Sequence, residues 1–272
     1  MKILIAVDME GITGVVNWDH VDPNHAEYAR FRRLMTADVN AAVRGAFEGG
    51  ATEVIVSDGH HNGLNILIEE LDGRARLNTG SPSPLSMVQS VDQADAGMFV
   101  GYHARAGTLD AVLCHTWSDV ITNVWLNGRP CGEIGFNASV AGFFGAPLLM
   151  IAGDQAACAE AAEWVPGVCP VVVKVASGRY AARCLPPEQT QAAILTAARE
   201  AVQEFAQGKG PRPLETPAPV TGRVEFANAA QADNAARVPG AKRVDGRTVE
   251  ISAENGVEAY RAFRAAASLG RG

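Results

Sequence analysis

The sequence predicts an α/β protein: a mostly parallel, Rossmann-like sheet flanked by helices, followed by a smaller two-layer α+β domain. Three observations carry that reading. Short apolar runs at 2–7, 52–56, 97–102 and 148–152 alternate with helical patterns, as in a parallel sheet covered on both faces. The first three of these runs end in carboxylates and imidazoles rather than in ordinary turn formers. Past Asp154 the order changes to strand, helix, two strands and helix, which places the boundary there and divides the chain into residues 1–154, which hold the strand-end carboxylates and imidazoles, and a smaller domain at 155–272.

Residues 2–7 form a buried strand that runs straight into an acidic loop. Residues 24–49 read as a helix, with Asn24 as N-cap, Phe31, Leu34, Val39, Val43 and Phe47 at helical spacing, and Gly49-Gly50 as the stop. The next strand, Thr52 to Val56, leads to Asp58-Gly59-His60-His61, and the strand Gly97 to Tyr102 leads to His103. Asn127-Gly128 is a hairpin signal between 121–126 and 129–134. The stretch from Ile134 to Gly153 is twenty residues without a charge, which is membrane-span length. Gly142, Gly145 and Pro147 interrupt it, so a buried helix, a turn and a core strand at 148–152 explain it better. Beyond it come a strand at 171–176, a long alanine-rich helix at 187–207 and a Gly/Pro-rich loop at 208–219. Strand 220–226, helix 227–236, a hairpin around Asp245-Gly246 and helix 255–267 complete the chain.

Composition excludes more than it assigns. The 272 residues are 47% hydrophobic and 19% charged, which rules out disorder and coiled coil. A net charge of -7 disfavours binding to nucleic-acid backbone, and no membrane partner is expected. Residues 1–155 carry 9 basic and 18 acidic side chains, a net of -9, and hold all six histidines. The N-terminal apolar run stops too early for a signal-peptide core. The five cysteines, Cys114, Cys131, Cys158, Cys169 and Cys184, form no C-x-x-C pair, so reduced thiols in the cytoplasm are expected.

Ligands of open α/β sheets bind beyond the carboxyl ends of the strands. Three strands deliver Asp8 and Glu10, His60 or His61, and His103 to one rim. Each alone reads as a turn carboxylate, a loop histidine or a core histidine; three together predict a metal site. Carboxylates and imidazoles suit zinc, and two of each suit a pair of ions bridged by one carboxylate, for which Asp8 is best placed. Glu133, in the second arm of the expected hairpin, would supply a further carboxylate, and His115 a separate imidazole. Cys114 reads as a small buried apolar residue rather than half of a thiol–imidazole pair. His20 and His25 flank a turn and read as surface or supporting groups.

The segment Asp8-Met9-Glu10-Gly11-Ile12-Thr13-Gly14 resembles the opening signature of the zinc-dependent D-aminopeptidase family of bacterial dipeptide operons. Glu53 to His60, Gly101 to Ala106, Arg129 to Asn137, Ile151 to Asp154 and Val224 to Asn228 match that family in order and spacing over essentially the whole chain. The resemblance implies Asp8, Glu10, His60, His103 and Glu133 as metal ligands, two Zn2+ per subunit with Asp8 bridging, and His115 as the catalytic residue. It leaves His61 out. It also implies a short-peptide substrate such as D-Ala-D-Ala, and a ring-like homo-oligomer with a decamer as the candidate size. Two alternatives stay open: another dinuclear amidase or phosphoesterase, for which Arg105 is the basic residue nearest the site, and a non-catalytic dipeptide-binding protein.

Overall fold

The structure, a computed structural model, describes all 272 residues. Its strands are β1 (Lys2–Val7), β2 (Glu53–Asp58), β3 (Arg76–Asn78), β4 (Ala96–Tyr102), β5 (Ile121–Leu126), β6 (Arg129–Pro130), β7 (Leu148–Asp154), β8 (Cys169–Gly178), β9 (Ala181–Cys184), β10 (Val220–Phe226), β11 (Lys242–Arg243) and β12 (Thr248–Ala253). Its helices are α1 (Tyr28–Glu48), α2 (Glu133–Phe143), α3 (Gln155–Trp164), α4 (Pro187–Ala206), α5 (Ala229–Ala235) and α6 (Gly256–Arg271). None is long and apolar enough to cross a membrane.

The first sheet has the order β3-β2-β1-β4-β7-β8-β9, all parallel except the β8–β9 pair. The second, β11-β12-β10-β5-β6, is antiparallel. The expected α/β sheet with a smaller antiparallel layer is therefore present. Alternation along β1 explains the sandwich. Ile3, Ile5 and Val7 join the core under α1 and α4, while Leu4 and Ala6 join the opposite core, which is shared with the second sheet. Each fully buried aliphatic side chain of this kind contributes roughly 1.5–3 kcal/mol, so both faces are firmly held.

The expected boundary at Asp154 is crossed in both directions. Residues 169–184 add β8 and β9 to the first sheet, and residues 121–130 add β5 and β6 to the second. One core cluster contains Leu4, Phe99 and Ile151 together with Val224, Ile251 and Phe263, so the smaller sheet has no core of its own. Asp154 itself is a buried helix cap: its side chain accepts from Ala157 N at 2.8 Å and from Val112 N at 2.7 Å. The first helix also starts later than Asn24 suggests, at Tyr28, and has no side-chain cap.

Candidate metal centre

Parallel pairing of β1 with β2 and β4 sets Val7 beside Asp58 and Val100, so the loops after these strands open on one rim. Asp8 and Glu10 follow β1, His60 follows β2 and His103 follows β4, as expected from the strand ends. Two glycines permit the close approach. A Cβ on Gly11 would lie 2.0 Å from Tyr102 O, and one on Gly101, whose φ is +76°, would lie 2.1 Å from Asp8 O. Glu133 arrives by another route than the hairpin arm. Pairing in that arm ends at Pro130, and Glu133 is the first residue of α2, behind the extended N-cap Gly132. A carboxylate suits the positive end of a helix.

These five side chains meet in two sets that share Asp8. His60 Nδ1 lies 3.3 Å from Asp8 Oδ1 and 3.2 Å from Glu10 Oε2. His103 Nε2 lies 3.3 Å from Asp8 Oδ2 and 3.3 Å from Glu133 Oε1. Ligands bonded at about 2.0–2.1 Å to one tetrahedral zinc are separated by about 3.3–3.5 Å, so both sets have the dimensions of a ligand edge. His115 Nε2 stands farther off, 4.0 Å from Glu10 Oε1 and 3.9 Å from Glu133 Oε1, with its ring stacked on His103 at 4.0 Å.

Backbone carbonyls fix how the three imidazoles present themselves. His60 Nε2 is 2.9 Å from Val21 O, His103 Nδ1 is 3.0 Å from Ala104 O, and His115 Nδ1 is 2.8 Å from Leu113 O. A carbonyl only accepts, so those nitrogens carry the hydrogen and each opposite nitrogen turns a lone pair on the carboxylates. Lone pairs facing buried anions repel unless a cation lies between them. His103 Nε2 and Glu10 Oε2 are buried without any hydrogen-bond partner, which fits that requirement. The donor set therefore suits a divalent metal of zinc type.

With protons as the only available cations, the same crowding moves the titrations apart. Burial would raise the Asp8 carboxyl, but the His103 and His60 imidazoles hold it well below the usual carboxylate range. Burial lowers His60 and His103, yet Glu10, Glu133 and Asp8 raise both well above the ordinary imidazole value. His115 is lowered, by burial and then by its neighbour His103.

Several supporting groups carried no sequence signal that was read. Lys174, in β8, is fully buried and donates to the carbonyls of Glu10, Ile12 and Val15 at 2.6, 2.8 and 2.7 Å, which locks the loop after β1. A lone lysine inside the run Val171-Val172-Val173-Lys174-Val175 was the clue. Asp58 accepts from Asn65 N and Ile66 N at 2.6 and 2.9 Å, bracing the His60 loop rather than reaching the metal site. His61 lines the cavity outside both ligand sets. Cys114 is half-buried, not buried, with Sγ 3.4 Å from Thr108 O, in a loop rather than a strand. His20 stacks on Phe31 at 3.8 Å, and His25 is exposed. Arg105 does not line the cavity.

Glu160, on α3, holds the loop after His103 by accepting from Arg105 N at 2.8 Å, while its other oxygen is buried without a partner. Burial, opposed by the Arg105 hydrogen bond and charge, raises its pKa from the usual 4.5 to about 7. The folded state thus holds a proton that the unfolded chain releases between those values. Its stabilising contribution is complete below about pH 4.5 and is lost as pH rises to 7. Glu160→Gln should therefore be more stable than the parent at pH 8, by up to roughly 3 kcal/mol, and show no such gain at pH 4.5. Urea unfolding at both pH values measures this; an equal difference at both would contradict the assignment.

Carboxylates and imidazoles gathered on the carboxyl rim of a parallel sheet, around buried and unpartnered ligand atoms, define an α/β protein of the metal-dependent hydrolase class. The chain belongs to the D-aminopeptidase family, whose model matches residues 1–265. A D-aminopeptidase of Bacillus subtilis (strain 168) is 38% identical over 265 residues, covering 97% of this chain and 95% of that protein. The solved structure of the Zn-dependent D-aminopeptidase DppA from Bacillus subtilis, described as a self-compartmentalizing protease, matches with a TM-score of 0.96 and 37% identity. That match covers 100% of this chain and 98% of the other.

Proposed function

We propose that the protein is a zinc-dependent aminopeptidase that removes the N-terminal residue from short peptides, D-amino-acid peptides such as D-Ala-D-Ala foremost. The observation that carries this reading is the pair of ligand edges sharing one carboxylate. Asp8 Oδ1 faces His60 and Glu10, and Asp8 Oδ2 faces His103 and Glu133. Asp8, Glu10 and His60 would hold one zinc, Asp8, His103 and Glu133 the second, with Asp8 bridging. When bound, such a pair supplies Lewis-acid polarisation of the scissile carbonyl and acidifies water.

The chain's own groups supply the rest. His115 stands just outside the ligand edges, with Nδ1–H committed to Leu113 O and Nε2 directed at the gap between Glu10 and Glu133. Its lowered pKa leaves Nε2 free to take a proton from attacking water and to return it to the departing amine. Trp18 packs edge-on against the His115 ring at 5.2 Å and helps to shut water out on that side. The five free cysteines accord with a cytoplasmic setting, and the likeness to a self-compartmentalizing protease supports a homo-oligomer in which small peptides reach the site.

The test uses zinc-loaded protein with D-Ala-D-Ala, L-Ala-L-Ala and p-nitrophenyl phosphate. Release of D-alanine, abolished by a chelator and restored by zinc, is the expected result. Exclusive cleavage of the phosphate ester, or tight dipeptide binding without turnover, would overturn the reading.

A further inference from the structure

Two arginines in the cavity beside the metal centre lack a carboxylate partner. Arg264 and Arg271 lie seven residues apart on α6, hence on one helix face. They line the same cavity of about 480 Å³ as Asp8, Glu10, His60 and Glu133. About half of the arginines meet carboxylates, as Arg223 meets Glu250 and Arg247 meets Glu225, and others do not. These two are held by neutral groups only. Arg264 donates to Ser86 Oγ and lies 5.5 Å from the Trp117 ring centre, and Arg271 donates to Trp117 O. A guanidinium has five donors, so most of each fork remains uncommitted.

Trp117 ties this pair to the metal centre. Its N–H donates to Glu133 Oε1 at 2.8 Å, its carbonyl holds Arg271, and its ring carries Arg264. Its φ of +58° is unusual for so bulky a residue, and such conformations are retained where surrounding contacts enforce them. One residue of backbone therefore spans from a predicted metal ligand to the cation pair. Burial and the neighbouring Arg264 charge lower the Arg271 guanidinium, opposed by the charge of Glu133.

We propose that Arg264 and Arg271 bind the C-terminal carboxylate of the peptide whose N-terminal residue is removed at the metal centre, so that the enzyme selects short peptides with a free C-terminus. The inference rests on the aminopeptidase reading and adds a second recognition point to it. A planar carboxylate matches the guanidinium fork, and each such charge-assisted contact gives on the order of tenfold or more in affinity.

The experiment compares kcat/KM for D-Ala-D-Ala with that for its C-terminal amide, using zinc-loaded protein. The parent should favour the free acid by about 10- to 100-fold. In Arg264→Gln/Arg271→Gln the ratio should fall to about one, and in Arg264→Lys, which keeps the charge but not the fork, it should lie between. Because a ratio does not depend on the fraction of protein folded, the single glutamine variants carry the same test if the double one is unstable. A parent ratio near one, or a wild-type ratio in the variants, overturns the proposal while leaving the aminopeptidase standing. Cleavage of neither peptide by the parent overturns both.

Discussion

Asp8→Ala is expected to lose zinc from both positions at once and to lower kcat/KM by at least about 10³-fold, equivalent to some 4 kcal/mol of transition-state stabilisation. The reason is geometric. Asp8 directs its two oxygens at the two closely held imidazoles, Oδ1 at His60 and Oδ2 at His103. Glu10 and Glu133 each approach only one of these imidazoles within an edge length. Glu10→Ala should therefore leave one zinc in place, whereas Asp8→Ala should leave none. Elemental analysis after dialysis distinguishes them. Two retained zincs with full turnover would refute the bridging role.

His115→Gln is expected to reduce kcat by about 10² to 10⁴-fold while bound zinc stays unchanged, the range for losing a positioned proton-transfer group. Its Nε2 stands 3.9 and 4.0 Å from the nearest carboxylate oxygens, beyond the 3.2–3.3 Å edges of the other two imidazoles. That longer separation supports the proposed proton-transfer role over a ligand role, although His115 also groups with His103 and Glu133 as a candidate metal donor. Loss of zinc in the variant would make it a ligand instead. Trapping an acyl group on the imidazole during turnover would make it a nucleophile, and either result would displace the proton-transfer assignment.

Much of this site was legible because its residues follow strands whose pattern is local. The runs at 2–7, 52–56 and 97–102 are short, largely apolar past their first residues and buried on both faces, and such strands pair in parallel with their carboxyl ends on one rim. Glu133 reaches the cluster from a different element than expected. The Asn127-Gly128 turn is present, but Pro130 has no N–H to extend the ladder, and the chain enters a helix three residues later. Asp154 looked like a boundary because the pattern changes there. Yet its carboxylate caps a helix and holds Val112 in the loop that leads to His115, a role visible only across 42 residues of separation.

The sequence by itself determined the layered α/β architecture, the placement of Asp8, Glu10, His60 and His103 at the strand ends, and, through motif resemblance, the family. These depend on periodicity and on the rule that open sheets bind ligands past their carboxyl ends, both of which act within a dozen residues. Only the tertiary structure decided which nitrogen of each imidazole faces the clustered carboxylates, that Lys174 locks the acidic loop, and that Arg264 and Arg271 reach the cavity from the last helix. It also joined residues 121–126 to 220–226 in one sheet, so that no boundary falls at Asp154. Such contacts join residues many tens to hundreds of positions apart, often through backbone carbonyls that are chemically alike in every residue. No side-chain pattern along the chain records which of them will be accepting.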